Sequence, residues 1–220
     1  MPNHVKNVIE FEGGRQAADP VLDALSAPGR DGEADYVIDF NKVIPMPPEL
    51  GISSSSKTGP SIAAARFLDE LPLTPGMRGL IEDLKASHAK ALRAGSAPRA
   101  FSEYLKRLSD EGVELDLELG RRGSENLDRY GCATWYDWRN ANWGTKWNSY
   151  EGALTEKGVS FLTAWSAPEP VLEAIARKFP QASFRCLSSE ESNPESCLIL
   201  RYQDGRLREA SRVIDPEGVE

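Results

Sequence analysis

Hydrophobic and polar positions alternate with a period of two near both ends of the chain, and this pattern predicts β-strands. Residues 5–11 (VKNVIEF) place Val5, Ile9 and Phe11 on one face, and Val8 adds an apolar side chain to the other. Apolar residues on both faces favour an interior strand. The other predicted strands are residues 36–40 (YVIDF), 159–165 (VSFLTAW), 182–187, 197–202 and 207–214, the last two forming a hairpin across Gln203-Asp204-Gly205.

Helical spacing of apolar residues predicts helices between these strands. Asp19-Pro20 has the chemistry of an N-cap followed by a first helical residue, so we expect a short helix from there to Pro28-Gly29. Ser166 is the expected N-cap of a later helix, with Pro168 and Pro170 in its first turn. The apolar stripe of that helix is Val171, Leu172, Ile175 and Phe179.

The middle of the chain has mainly helical patterning. Apolar positions predict helices from 61 to 71, from 74 to 94 and from 98 to 111. The stretch VELDLEL (113–119) alternates strictly, as a strand does, but it is rich in Glu and Leu, and we favour a helix. The next residues, GRRG (120–123), predict a turn, followed by a short helix that ends at Tyr130-Gly131.

The predicted elements therefore include one β-α-β unit near the start of the chain and a second near its end. This order predicts an α+β fold, a ferredoxin-like split β-α-β sandwich with a large helical insertion and an extra C-terminal β-hairpin. We expect residues 1–44 and 132–220 to form the ferredoxin-like domain, and residues 45–131 to form the helical insertion.

The stretch TWYDWRNANWGTKWNSY (134–150) holds four of the five tryptophans. Its aromatic residues can pack in a core, because each buries roughly 150–250 Å². They can also form a surface for a partner or ligand, since exposed Trp and Arg dominate many interfaces. The candidate binding residues are Trp138, Asn142, Trp143, Lys146 and Trp147.

Composition and charge disfavour several classes of partner. The net charge is −8 and no basic block is present, so direct nucleic-acid binding is disfavoured. Apolar runs fall far short of a membrane span, and the N-terminus MPNHVKNVIEFEGG lacks the pattern of a secretory signal. We therefore expect a cytoplasmic protein that does not contact membranes, with Cys132, Cys186 and Cys197 as reduced thiols. Oligomeric state is not predicted.

No pattern of residues predicts a cofactor, a metal site or catalytic residues. His4 and His88 are the only histidines, and neither has a second ligand at metal-binding spacing or a nucleophile motif beside it. The segment GISSSSKT (51–58) lacks the second glycine of a phosphate-binding loop, and Gly59-Pro60 is expected to interrupt the helix that such a loop needs.

Four segments resemble the YubB ferredoxin-like family of plasmid- and phage-borne proteins. They are the MPNH start, FNKVIPMPPEL, WYDWRNANWGTKWNSYEG and FLTAWSAPEPVLEAIARKFP, which together cover about residues 1–50 and 130–200. The resemblance implies the ferredoxin-like fold and an origin in a mobile element. It implies no catalytic residues.

Three functions are compatible with these observations. The first is a non-enzymatic accessory protein of a mobile element that binds a host protein, with a host defence factor as one case. The second is an enzyme with a small-molecule site between sandwich and insertion, formed by Asp137, Arg139, Asn142 and Lys146. The third is stacking of single-stranded nucleic acid on the sheet, which the negative charge disfavours.

Overall fold

The computed structural model describes most of the chain as two compact units. The described residues are 3–28, 36–70, 110, 112 and 114–214. The sandwich unit consists of residues 1–46 and 138–220, and the helical unit of residues 47–137. The domain boundaries expected at 44 and 132 stay a prediction.

The sandwich unit is built on a six-stranded antiparallel sheet. Its strands are β1 (His4–Phe11), β4 (Tyr150–Leu154), β5 (Gly158–Ala164), β6 (Phe184–Glu190), β7 (Asn193–Gln203) and β8 (Arg206–Ile214). They are hydrogen-bonded in the order β4-β5-β1-β6-β7-β8. The alternation in residues 5–11 correctly predicts an interior strand, since β1 pairs with β5 and β6.

Two helices contact this sheet and bury its apolar side chains. Helix α1 (Arg15–Leu25) contacts β1 and β5, and helix α6 (Glu169–Lys178) contacts β7 and β8. A row of rings from three neighbouring strands lies in the core, with ring centroids 5.5 Å apart for Phe11 and Phe184 and 4.9 Å apart for Phe184 and Tyr202. The predicted apolar stripe of α6 is buried at Val171, Leu172 and Ile175, and Phe179 is half-buried.

Four strands of the sheet and the two helices on it follow one another along the chain as β1, α1, β4, β5, α6 and β6, with further elements inserted between α1 and β4. In the sheet these strands have the order β4-β5-β1-β6, and both orders are those of the ferredoxin-like fold. The predicted fold class is therefore confirmed. Strands β7 and β8 add the predicted hairpin to this core. Asp204 (φ 50°) and Gly205 (φ 72°) form its turn, because both central residues of such a turn need positive φ.

The prediction that residues 36–40 form a strand of the main sheet is wrong. Tyr36–Ile38 forms a short strand, β3, that pairs with β2 (Ser26–Pro28) in a separate two-stranded sheet. Asp39 then accepts a hydrogen bond from the Asn41 N–H and begins helix α2 (Phe40–Val43). The strand that completes the sandwich is β4, which the patterning missed because it is short and irregular.

Two predicted helix starts are also wrong. Helix α1 begins at Arg15 rather than at Asp19-Pro20, and Pro20 lies inside it on the exposed side. The buried stripe around Val21 and Leu22 stabilises the helix although the proline removes a hydrogen bond. Ser166 is not the N-cap of α6; Pro168 occupies that position, and the Ser166 hydroxyl donates to the Gly144 carbonyl instead.

The helical unit contains α3 (Thr58–Glu70) and α4 (Leu117–Tyr130), which pack against each other. The GRRG segment lies within α4, so the predicted turn is wrong. A Cβ at Gly120 would lie 2.1 Å from the Ser61 carbonyl oxygen, and one at Gly123 would lie 2.7 Å from Ile62 Cδ1. These glycines allow the two helices to approach closely. The predicted end at Tyr130-Gly131 is confirmed, with Gly131 in a left-handed cap.

Other expectations for the middle of the chain have mixed outcomes. Gly59 and Pro60 are part of the first turn of α3, where proline is tolerated, and do not interrupt it. The helices expected over 74–94 and 98–111 lie essentially outside the described residues, and so does His88.

Helix α5 (Trp135–Asn142) follows α4 along the chain. Among the described residues, no helix is both long enough and apolar enough to cross a membrane.

Candidate functional site

Two of the candidate tryptophans lie in the core of the sandwich unit. Trp143 is fully buried, and its indole Nε1–H donates to the Ile44 carbonyl at 2.9 Å. Phe40 and Trp138 both meet the Trp143 ring edge to face, at centroid distances of 5.7 and 5.9 Å. The Arg139 guanidinium lies 4.8 Å from the centroid of the same ring. This part of the aromatic stretch is therefore structural packing.

The remaining candidate binding residues also have contacts within the sandwich unit. The Asn142 side-chain amide donates to the Trp138 carbonyl at 2.9 Å, one turn back in the helix. The Lys146 ammonium lies 5.0 Å from the centroid of the half-buried Trp147 ring, which in turn meets Tyr150 edge to face. These contacts assign structural roles, and the predicted small-molecule site near Asn142 and Lys146 stays a prediction.

The most exposed indole belongs to the one tryptophan outside that stretch. Trp165 follows the last residue of β5, and 56% of its surface is exposed. Its backbone has φ 74°, in the left-handed region where bulky side chains are strained. Such strain costs on the order of 1–3 kcal/mol and persists only where surrounding contacts fix the conformation.

A buried polar network fixes the turn that carries Trp165. Asn7 is fully buried in β1, where its side-chain oxygen Oδ1 accepts from the Ser188 hydroxyl at 2.8 Å. The Asn7 amide donates to Thr163 Oγ1 at 2.9 Å, and that hydroxyl donates to the Ser166 carbonyl at 2.8 Å. Three side chains from three strands thus determine the position of the turn just after β5.

The aromatic stretch supports the same turn from the other side. The Thr145 hydroxyl donates to the Ala164 carbonyl at 2.8 Å, and the Ser166 hydroxyl donates to the Gly144 carbonyl. Gly144 has φ 73°, and a Cβ there would lie 2.7 Å from Pro170 Cδ. The residues directly after Trp143 therefore pack closely against the segment that follows Trp165.

A small polar cleft of about 140 Å³ lies beside Trp165. It is lined from the sheet by Val5, Ser188 and Leu198 and from the start of α6 by Glu169. Arg212 of β8 also lines it and donates to the Ser196 hydroxyl at 3.2 Å. The exposed indole thus adjoins groups that can accept and donate hydrogen bonds.

Burial raises the pKa of titratable side chains in the sandwich unit, among them Cys186 and Tyr150. Burial raises the pKa of the Cys186 thiol to about 12, so this thiol stays protonated and unreactive near neutral pH. A 2.7 Å hydrogen bond joins His4 Nδ1 and the Tyr150 hydroxyl, and burial raises the pKa of Tyr150, with Glu151 and Glu191 adding to it. Among the residues that the structure describes, no three His, Cys, Asp or Glu side chains are grouped to hold a metal ion.

Sequence reasoning missed Trp165 as a surface residue. The predicted strand 159–165 ends at Trp165, but alternation only assigns a residue to one face of a sheet. It does not predict that the side chain lies beyond the strand and is exposed. The available signal was the polar and proline-rich segment SAPEP directly after it, which ends the strand at Ala164.

Part of the chain is similar to a known family. Residues 142–212 match a family model described as the ferredoxin-like domain in Api92-like protein. A crystal structure of protein api92 from Yersinia pseudotuberculosis is similar over 96% of this chain and 98% of that chain, with 12% sequence identity and a TM-score of 0.38. No curated protein matches. The family match agrees with the ferredoxin-like topology and assigns no activity.

Proposed function

We propose that this protein is a non-enzymatic binding protein and that Trp165, with the cleft beside it, forms the contact with a protein partner. The observation that carries the proposal is an indole that is 56% exposed on a residue with φ 74°. A solvent-exposed turn has no structural need for tryptophan in this conformation, because glycine or asparagine adopts it more easily.

The energetics of the turn support this proposal. Covering the exposed part of one indole, on the order of 100 Å², contributes about 2–3 kcal/mol to binding. Because Thr163 and Thr145 hold the turn in place, little conformational entropy is lost when a partner covers Trp165. Tryptophan is enriched among the residues that dominate binding energy at protein interfaces.

We further propose that the chain belongs to a mobile element, a phage or a plasmid, and that its partner is a host protein, with a host defence factor as one case. The resemblance of the MPNH, NWGTKW and FLTAWSAPEP segments to the YubB family supports this origin. We also propose that the encounter takes place in the cytoplasm, which the odd number of widely spaced cysteines, Cys132, Cys186 and Cys197, supports.

Affinity capture with matched variants tests the proposal. Wild-type protein, Trp165→Ala and Leu154→Ala are immobilised and exposed to bacterial host lysate. Leu154 is the control because 46% of its surface is exposed on β4, where it pairs with Val159 at the end of β5 away from Trp165. The expected result is one partner at stoichiometric yield with wild type and Leu154→Ala, and a loss of at least about tenfold with Trp165→Ala, the factor that 1.4 kcal/mol of binding energy gives.

Two results would overturn the proposal. One is equal capture by wild type and Trp165→Ala, which would move the contact elsewhere. The other is the absence of any partner from wild type. A photo-crosslinking amino acid at position 165 gives an independent reading, since the partner captured by wild type must be the protein that crosslinks there.

A further inference from the structure

Strand β8 lies at one edge of the six-stranded sheet and is long, and its pairing with β7 is in continuous register from Glu209 to Ile214, with one irregularity at Arg208. It spans nine residues, Arg206–Ile214, and pairs on one side with β7. Within the described part of the chain, its backbone has no hydrogen-bond partner on the other side. Every second residue of an edge strand directs its N–H and C=O outward, so β8 can accept a further strand.

The opposite edge of the sheet differs. Strand β4 has only five residues, and its pairing with β5 shifts register between Tyr150 and Ala153. Glu151 within that irregularity has φ 48°. A short, bulged strand is a poor template for pairing. The stretch of continuous register is longer on β8, at residues 209–214, than on β4, so β8 is the better template for an added strand.

The charge on the β7–β8 hairpin is opposite to that of the whole chain. The chain has a net charge of −8, whereas residues 201–214 contain four arginines, one aspartate and one glutamate. Three of these arginines, Arg206, Arg208 and Arg212, are exposed on β8 itself. An acidic segment is attracted to this edge, and a basic segment is repelled.

The same charges disfavour pairing of β8 with a second copy. An antiparallel pair centred on Ala210 would place Arg208 of each copy opposite Arg212 of the other, and like charges directly opposite are destabilising. Charged residues on an edge strand also prevent unspecific pairing with neutral strands. The arginines thus disfavour pairing with a copy of this chain and with neutral strands while leaving the edge open to acidic ones.

We infer that β8 is a docking edge for an extended acidic segment of the protein partner, which adds to the sheet as a seventh strand. Leu207 and Ile214, both exposed, give the segment an apolar contact at each end of β8; Ile214 is 78% exposed. The inference rests on the proposed function, because Arg212 of β8 lines the same cleft as Trp165 and makes the two surfaces continuous.

A defined peptide tests the edge without the natural partner. The probe is a fluorescent peptide that alternates glutamate with valine, and its counterpart replaces glutamate with lysine. We expect the acidic peptide to bind about tenfold or more tightly than the basic one, the factor expected from a few cross-strand ion pairs. Hydrogen exchange should slow in residues 206–214 and remain unchanged in residues 150–154.

Charge-reversal variants give the matched control. Arg206→Glu, Arg208→Glu and Arg212→Glu combined should abolish or reverse the preference for the acidic peptide. Each single reversal should weaken the preference, whereas Arg177→Glu, a single reversal of the same size on the exposed surface of α6, should leave it unchanged. Urea unfolding of each variant confirms that the fold is retained.

The outcomes separate this inference from the proposed function. No peptide preference at about 1 mM, or equal protection of β4 and β8, overturns the docking edge. If Trp165→Ala still loses its lysate partner in that case, the proposed function stands alone. If the peptide binds β8 as expected but Trp165→Ala captures the same partner as wild type, the Trp165 contact is wrong and the edge stands.

Discussion

Trp143 and Trp165 occupy opposite environments in the same unit of this protein. Trp143 is fully buried, hydrogen-bonded through its indole nitrogen and surrounded by other rings. Trp165 is 56% exposed and lies on a strained backbone. The tryptophan in the conspicuous cluster is structural, and the isolated one is available for contact.

The two regions are nevertheless connected. Gly144 and Thr145, directly after Trp143, hydrogen-bond to Ser166 and Ala164 on either side of Trp165. Burial of the first indole thus fixes the residues that hold the second one at the surface. Each of the following variants alters one part of this arrangement.

Trp143→Ala should have the largest effect. Removing a fully buried indole leaves a cavity and an unpaired Ile44 carbonyl, so we expect a loss of about 3–5 kcal/mol in the free energy of unfolding. Urea denaturation followed by circular dichroism measures it. A loss below about 1 kcal/mol would mean that Trp143 is not part of the core.

Gly144→Ala should destabilise by about 2–3 kcal/mol, because it combines strain at φ 73° with a Cβ 2.7 Å from Pro170 Cδ. Gly131→Ala is the matched control: its φ is 71° and a Cβ there meets nothing within 4 Å. The control should cost only about 1 kcal/mol. Equal losses in urea unfolding would show that the close approach to Pro170 contributes nothing.

Thr163→Val should cost about 1–3 kcal/mol, because it leaves the Asn7 amide and the Ser166 carbonyl without their shared partner. The shape of the side chain is retained, so the loss reports hydrogen bonding. Hydrogen exchange at residues 164–167 should become faster than in wild type. Unchanged exchange would indicate that the network does not fix the Trp165 turn.

Substitution of Trp165 itself should have the smallest effect on stability. We expect Trp165→Gly to be more stable than Trp165→Ala by about 1 kcal/mol, because glycine adopts φ 74° without strain. Thermal unfolding of the two variants makes the comparison. If Ala is the more stable, the positive φ is not maintained and the rigid presentation of Trp165 is lost.

The fold was largely predictable from the chain, whereas the site was not. Alternation in residues 5–11 and the Asp204-Gly205 turn depend on local chemistry, and both elements form as predicted. Residues 36–40 also have strand patterning, but Tyr36–Ile38 pairs with the nearby β2, and the position beside β5 is taken by β4, more than a hundred residues further along the chain. Likewise, the burial of Trp143 involves Phe40 and Ile44, which lie about a hundred residues earlier in the sequence.

Oxidative footprinting of the indoles tests the contrast between Trp143 and Trp165 most directly. The native protein is exposed to a short pulse of hydroxyl radicals, and modification at each tryptophan is measured by mass spectrometry. We predict rapid modification of Trp165 and protection of Trp143 until the protein unfolds. Modification of Trp143 at the same rate as Trp165 in the folded protein, or protection of Trp165, would contradict the account.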